Sequence, residues 1–441
     1  MGITIVQKSN LAKPKPNPKI ALVLAGGGVS GGAFKLGGMI ALNNFMVNKD
    51  IRDFDIYVGV SAGSILSLFL ANGIPTEELL KSLEGRKGLI NPILASDFYY
   101  FNTKEFLLNP LLLIKDIFTL LPLSYLNFLI SNNIFREKFR KKITNLLISP
   151  DIETIGNFIK FCFSNFKSSN ISKGSLPWRY IPNGFFITDE FERSIRKNLS
   201  DNNMINDFKE LYKIKGKELY IYSTNLDAVK RAVFGHDEIN TVSISKAMQA
   251  SIAVPIFYKP VEINGTNFVD GGVINTAGMD LAIKKGADLI ICYNPFRPFN
   301  FESFSLKYDK KNSKYCIADD GLYVLVNQVF RTILHTRLIY GMERYRKNPD
   351  FNGDIILIEP TEYDDKFFDM NPLAFWERRK ASKRGYASVR TSIQQNYKQL
   401  EEIFKSYGIR TSFDFAYEPI NQLPTTFGYS SNTYHKSLVP V

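Results

Sequence analysis

The feature that most constrains this chain is a change of period at residues 55–70. An apolar run, Ile56-Tyr57-Val58-Gly59-Val60, ends in Gly59-Val60-Ser61-Ala62-Gly63 and gives way to Ile65-Leu66-Ser67-Leu68-Phe69-Leu70. A short apolar run, a glycine pair and a longer apolar segment read as a buried strand, a sharp turn and a helix, with a serine at the apex. Glycine on either side lets the backbone bend tightly and leaves room beside the hydroxyl. On its own the pattern fits either a serine nucleophile or a glycine-rich turn with no chemistry.

The preceding segment has the same build. Lys19-Ile20-Ala21-Leu22-Val23-Leu24-Ala25 is a continuous apolar run of the kind found in buried parallel strands. It enters Gly26-Gly27-Gly28-Val29-Ser30-Gly31-Gly32, and a helix is expected over 33–47. Strand, loop, helix, strand, turn, helix within about 50 residues argues an α/β fold: three α/β/α layers around a mainly parallel sheet. Further strands are expected over 218–224, 261–269 (a pair turning at Asn264-Gly265), 288–293 and 354–358. Helices are expected over 243–250, 279–285, 319–346 and 375–405. The 319–346 segment sets Leu322, Leu325, Val326, Val329, Ile333, Leu338 and Tyr340 at helical spacing. Residues 1–18, with Lys-Pro-Lys-Pro-Asn-Pro, read as a flexible arm. The main α/β domain is expected over 19–360, interrupted by a mainly helical insert at 76–215 that covers or flanks the site. Residues 361–441 read as a helical segment with a polar tail.

A chain of 441 residues buries a large core, and its net charge of +12 favours anionic partners. The basic clusters Arg136–Lys142, Arg344–Lys347 and Arg378–Arg384 accompany no zinc-finger or RNP pattern, so no nucleic-acid partner is expected. Three widely separated cysteines, Cys162, Cys292 and Cys316, provide neither a disulfide framework nor a zinc site and fit a reduced, cytoplasmic setting. The N-terminus reads as lacking a secretory apolar region, and Val6 stands where a myristoylation signal wants Ser or Thr. The apolar stretch 106–130 carries Lys115-Asp116 and two prolines, which favours a buried helical insert or a membrane-surface element over a transmembrane span.

Gly26, Gly28 and Gly31 also satisfy the spacing of a dinucleotide-binding loop. That reading needs an acidic residue at the end of the second strand, whereas Asp53 and Asp55 stand at its beginning. The alternative use of the same loop is electrostatic. Attack of a serine on an ester builds negative charge on the carbonyl oxygen, and backbone N–H groups aimed there stabilise it. Gly27, Gly28 and Val29, with Ala62, are candidate donors. A base is also required. His335 follows Ser61 in chain order but sits mid-helix, His236 is in a turn and His435 is in the polar tail. Asp270, at a strand end before Gly271-Gly272, is better placed to take the proton directly.

At this point the chain resembles the patatin-like phospholipases, lipid acyl hydrolases with a Ser-Asp dyad. The resemblance rests on Gly26-Gly27-Gly28-Val29-Ser30-Gly31, on Gly59-Val60-Ser61-Ala62-Gly63, on Ala247–Phe257 and on Asp270-Gly271-Gly272, in that order over residues 19–295. It implies Ser61 as nucleophile, Asp270 as base, and Gly26, Gly27, Gly28 and Gly31 as the oxyanion loop, with Gly59, Gly63, Gly271 and Gly272 supporting the turns. It implies no cofactor and no metal, a phospholipid or lysophospholipid substrate, and peripheral contact with a membrane surface. Two departures stand out. Ser30 occupies a place where the family often has Arg or Lys, and Ala277-Gly278 stands where a proline is common. The alternatives are a neutral-lipid or small-ester hydrolase, a His335-based triad, and a lipid-binding protein without catalysis. The oligomeric state is left open.

Overall fold

The computed structural model describes residues 2–120, 133–148, 153–154, 157, 180–300, 319, 321–361 and 364–417. Their strands, in chain order, are β1 (Ile3–Gln7), β2 (Ile20–Leu24), β3 (Ile56–Val60), β4 (Gly184–Phe186), β5 (Glu218–Asn225), β6 (Lys230–Phe234), β7 (Ile256–Tyr258), β8 (Val261–Ile263), β9 (Thr266–Asp270), β10 (Leu289–Tyr293) and β11 (Asp354–Ile358). Nine of them form one sheet in the order β1-β11-β10-β2-β3-β5-β9-β8, with β6 paired to β5. The five strands from β11 to β5 run parallel, and antiparallel strands close both sides. Every residue of β2, β3, β10 and β11 is buried, which is why these strands are continuous apolar runs with no polar alternation.

Two helices leave the centre of the sheet. Helix α1 (Gly28–Phe45) follows β2, and α2 (Ala62–Ala71) follows β3. Helix α1 begins five residues earlier than the sequence suggests, inside the glycine run. Glycine is a poor helix former, but packing decides here. A Cβ at Gly37 would lie 1.7 Å from the Ser382 carbonyl oxygen of the helix Arg378–Gln395, which runs against α1. The small residues let the two backbones approach.

The chain divides into two compact units. The first comprises Met1–Tyr100, Thr188–Pro255 and Pro260–Val441 and holds the nine-stranded sheet. The second comprises Phe101–Ile187 and Ile256–Lys259. In it β4 and β7 pair in parallel, Glu105 accepts the Asn183 N–H at 2.8 Å and meets Lys259 at 2.7 Å, and Phe101, Phe106 and Phe185 cluster.

The hairpin at Asn264-Gly265 forms, both residues having positive φ (50° and 76°), as a two-residue turn that matches strand twist. Residues 3–7 depart from the flexible-arm expectation. The β-branched run Ile3-Thr4-Ile5-Val6 pairs antiparallel with β11 and covers what would otherwise be an open sheet edge. The charged segment 375–405 is two helices, Arg378–Gln395 and Tyr397–Ser406, broken at Asn396. No helix among the described residues is long and apolar enough to cross a membrane. Residues 121–130 of the apolar stretch, Cys162, Cys316 and His435 lie outside the described residues.

Candidate active site

Ser61 sits between β3 and α2 with φ 54° and ψ −128°, a conformation a side chain rarely takes. Three hydrogen bonds hold it there. Its N–H donates to Ser251 Oγ at 2.8 Å, and its carbonyl accepts from the Ser64 N–H at 2.8 Å and the Ser64 hydroxyl at 2.6 Å. Strain of this kind persists only where the surroundings over-determine it. Gly63 is part of that enclosure, since a Cβ there would lie 2.1 Å from the Leu24 carbonyl oxygen. The turn sets the serine at the C-terminal edge of the parallel strands, where it stays buried, at 5% exposure.

Sheet register brings Asp270 to the same level. Val60 pairs with Tyr222, so Ser61 is level with Ser223, and Ser223 pairs with Asp270 across the antiparallel β5–β9 contact. Ser61, one residue past the end of β3, thus stands beside the row formed by Ser223 and Asp270. The Asp270 N–H donates to the Ala253 carbonyl at 2.9 Å, and Thr224 Oγ1 donates to the Asp270 carbonyl at 3.0 Å. Of the carboxylate oxygens, Oδ1 accepts the Gly272 N–H at 2.7 Å. Oδ2 is buried without a partner at hydrogen-bonding geometry. Burial pushes the Asp270 pKa up to about 6, against the opposing pull of the Ser61 hydroxyl, the Gly272 N–H and the Lys35 charge. The Ser61 hydroxyl is therefore near enough to stabilise the carboxylate without satisfying Oδ2 in this geometry. The result is a carboxylate that is ionised at neutral pH and short of hydrogen-bond donors.

The glycine run lies against the serine: a Cβ on Gly26 would sit 3.2 Å from Ser61 Cβ. Its N–H groups fall into two sets. Val29 and Ser30 donate to the Pro372 carbonyl at 2.7 and 3.2 Å, and Gly31 donates to the Gly27 carbonyl at 3.0 Å. The N–H groups of Gly26, Gly27, Gly28 and Ala62 donate to no backbone carbonyl among the described residues. Gly59 packs its Cα under Ser64, and Gly271-Gly272 open the 3-10 turn behind Asp270.

The described histidines have other partners. His335 Nε2 lies 3.3 Å from Glu359, and His236 stacks on Tyr212 with centroids 4.0 Å apart. Asp55, weighed against a dinucleotide reading, accepts the Ile20 N–H at 2.8 Å and so ties β3 to β2 at the far edge of the sheet. No group of three or more potential metal ligands is found among the described residues.

Sequence reasoning missed four contributors. Ser251 holds the Ser61 backbone, and Pro372 caps the glycine run from more than 300 residues away, which no local signal reveals. Arg337 donates to the Gly272, Val273 and Ile274 carbonyls and braces the turn after Asp270. Lys35 was visible as the one charged residue between Val29 and Leu42, a run otherwise apolar or small.

A protein described as a probable lipid hydrolase of Invertebrate iridescent virus 6 is 31% identical over 77 residues, 18% of this chain and 27% of that protein. The match thus spans about a quarter of that relative's length. Among solved structures, VipD from Legionella pneumophila is 16% identical with a TM-score of 0.36, covering 92% of this chain and 77% of VipD. ExoU from the type III secretion system of Pseudomonas aeruginosa, solved in complex with SpcU, is 16% identical with a TM-score of 0.28, covering 80% of this chain and 56% of ExoU. The model of the patatin-like phospholipase family matches residues 22–283, more than half the length. The chain belongs to the patatin-like phospholipase family.

Proposed function

We propose that this protein is an acyl hydrolase of phospholipids or lysophospholipids in which Ser61 is the nucleophile and Asp270 the base. One observation carries the reading: the buried Asp270 carboxylate, its Oδ2 without a hydrogen-bond partner, is close enough to feel the Ser61 hydroxyl, and the glycine N–H groups near Ser61 have no backbone acceptor among the described residues. Asp270 takes the Ser61 proton as Oγ bonds to the ester carbonyl carbon. The carbonyl oxygen becomes an oxyanion held by N–H groups from Gly26, Gly27, Gly28 and Ala62. Collapse breaks the bond to the lipid alcohol, which leaves with the proton from Asp270. Water, giving its proton to Asp270, then attacks the acyl-enzyme, and Ser61 recovers its proton as the fatty acid departs. The N–H groups supply the electrophilic stabilisation, so no metal is required. Val29 and Gly31 support the loop instead of donating, because their N–H groups are engaged in this geometry.

A lipid substrate is supported by family membership and by a relative described as a probable lipid hydrolase. A surface feature agrees. The helix Leu322–Lys347, whose Arg337 braces the turn behind Asp270, exposes Leu322, Leu325, Val326, Val329, Phe330 and Ile333 at i, i+3, i+4 spacing. An exposed apolar helix face on a protein of net charge +12 suits the surface of an anionic bilayer.

Incubation with mixed phospholipid vesicles is expected to release free fatty acid and a lysolipid or glycerophosphodiester, read by mass spectrometry and unchanged by EDTA. Cleavage of neutral glycerides alone, or loss of activity on chelation that added metal restores, would reject this reading. In sedimentation with anionic vesicles, Val329→Asp with Phe330→Asp is expected to weaken binding by about tenfold or more, since each apolar side chain contributes about 1.5–3 kcal/mol on burial. Equal binding by the variant would remove this helix from the interface.

A further inference from the structure

Lys35 is fully buried in α1, one residue beyond Phe34, and the proposed reaction does not use it. A buried ammonium is costly unless its hydrogen bonds are met. Two are met here by backbone: Nζ donates to the Ala25 carbonyl and, at 2.8 Å, to the Gly26 carbonyl. No carboxylate lies within ion-pair distance of it among the described residues. Burial pushes the Lys35 pKa down to about 7, and the nearby carboxylate of Asp270, at the end of β9, opposes that shift. The neighbouring helix Arg378–Gln395 meets α1 here through backbone, the Gly385 Cα standing against the Phe34 carbonyl.

The consequence follows from peptide geometry. In a planar trans peptide the carbonyl and the next N–H point in opposite directions. With the Ala25 and Gly26 carbonyls drawn onto Lys35, the N–H groups of Gly26 and Gly27 face away from it. The next carbonyl, that of Gly27, is held by the Gly31 N–H at 3.0 Å, which turns the Gly28 N–H outward as well. Three successive carbonyls are thus fixed on the helix side, and the three N–H groups that follow them are those without a backbone acceptor. Without Lys35, either carbonyl would be free to rotate outward and replace a donor by an acceptor beside Ser61.

We infer that Lys35 is a positioning residue for catalysis: its Nζ donors fix the Ala25 and Gly26 carbonyls and so point the Gly26 and Gly27 N–H groups at the transition-state oxygen. This assignment rests on Ser61 being the nucleophile. Lys35 acts from behind the loop, on its carbonyls, without touching substrate.

Lys35→Met conserves volume and removes the donors. On a soluble ester, kcat per folded molecule is expected to fall 10²- to 10³-fold, the size of a lost oxyanion donor, with KM within threefold. Phosphonylation of Ser61 by a fluorophosphonate, which passes through the same oxyanion geometry, is expected to slow in parallel. Lys35→Arg, which keeps a cationic donor, is expected to recover part of both rates. A kcat for folded Lys35→Met within threefold of the parent, or a change confined to KM or to Tm, overturns the inference. If Lys35→Met does not fold, Lys35→Leu, which likewise has no donor, is read by the same criteria. The parent protein and Ser61→Ala run alongside: a parent not labelled at Ser61 rejects the nucleophile itself, whereas normal parent labelling with unimpaired Lys35 variants rejects only the role of Lys35.

Discussion

Asp270→Asn is expected to reduce kcat on a phospholipid ester by about 10³-fold or more and, at neutral pH, to raise the protein's Tm. General-base catalysis contributes about 10²- to 10⁴-fold, and no described histidine stands ready to substitute, since His335 faces Glu359 and His236 stacks on Tyr212. The stability gain has a definite sign. Burial raises the Asp270 pKa from 3.8 to about 6, so the folded protein favours the protonated form, and holding the group ionised costs about 3 kcal/mol at neutral pH. Asn keeps an acceptor for the Gly272 N–H and carries no charge. The advantage of the variant is expected to be full above pH 6 and to shrink as pH falls, disappearing below about 4, where Asp270 is protonated in both folded and unfolded chains. For the parent enzyme the same shift places the acid limb of kcat/KM near pH 6, with activity falling about tenfold per unit below it. Thermal melts and initial rates between pH 4 and 8 check both halves. A variant that is less stable at pH 7, or a parent whose activity persists undiminished to pH 4, contradicts the assignment.

The second large effect is at the serine. Ser61→Ala is expected to remove about 10⁵- to 10⁶-fold of the hydrolysis rate, the scale seen when a covalent nucleophile is deleted. The diagnostic result is non-additivity. Because Asp270 acts by taking the Ser61 proton, the double variant Ser61→Ala with Asp270→Asn is expected to be no slower than Ser61→Ala alone. Independent contributions would multiply instead, adding a further factor of about 10³. The fold tolerates the change: Ser61 is held through its backbone, to Ser251 and Ser64, and those bonds survive loss of the hydroxyl. Steady-state rates on one lipid, with a melt on each variant, separate the two outcomes.

How much of this was legible beforehand depends on how local each signal is. The strand-turn-helix at Ser61 and the strand entering the glycine run are both encoded within a dozen residues, as a change of hydrophobic period, and both elements form there. The hairpin ahead of Asp270 was equally local, marked by Asn264-Gly265. What the sequence did not disclose depends on distant partners. That β9 runs antiparallel to β5, and so delivers Asp270 to the row of Ser61, is a matter of sheet order. That the Val29 N–H meets Pro372 requires two segments to be brought together by the packing of α1 on the helix Arg378–Gln395. Helix α1 starting at Gly28 runs against glycine's intrinsic preference, overridden by close backbone contact. Strand β1 was masked by the lysine- and proline-rich segment after it, although its β-branched run carried the signal.

The most direct measurement is capture of the acyl-enzyme. Protein mixed with phospholipid, quenched in acid within the first turnover and digested, is expected to yield the peptide containing Ser61 heavier by one fatty-acyl group, and the same peptide unmodified in Asp270→Asn over that interval. An acyl group on any other residue, or fatty acid released with Ser61 never acylated, would contradict a Ser61 nucleophile served by Asp270.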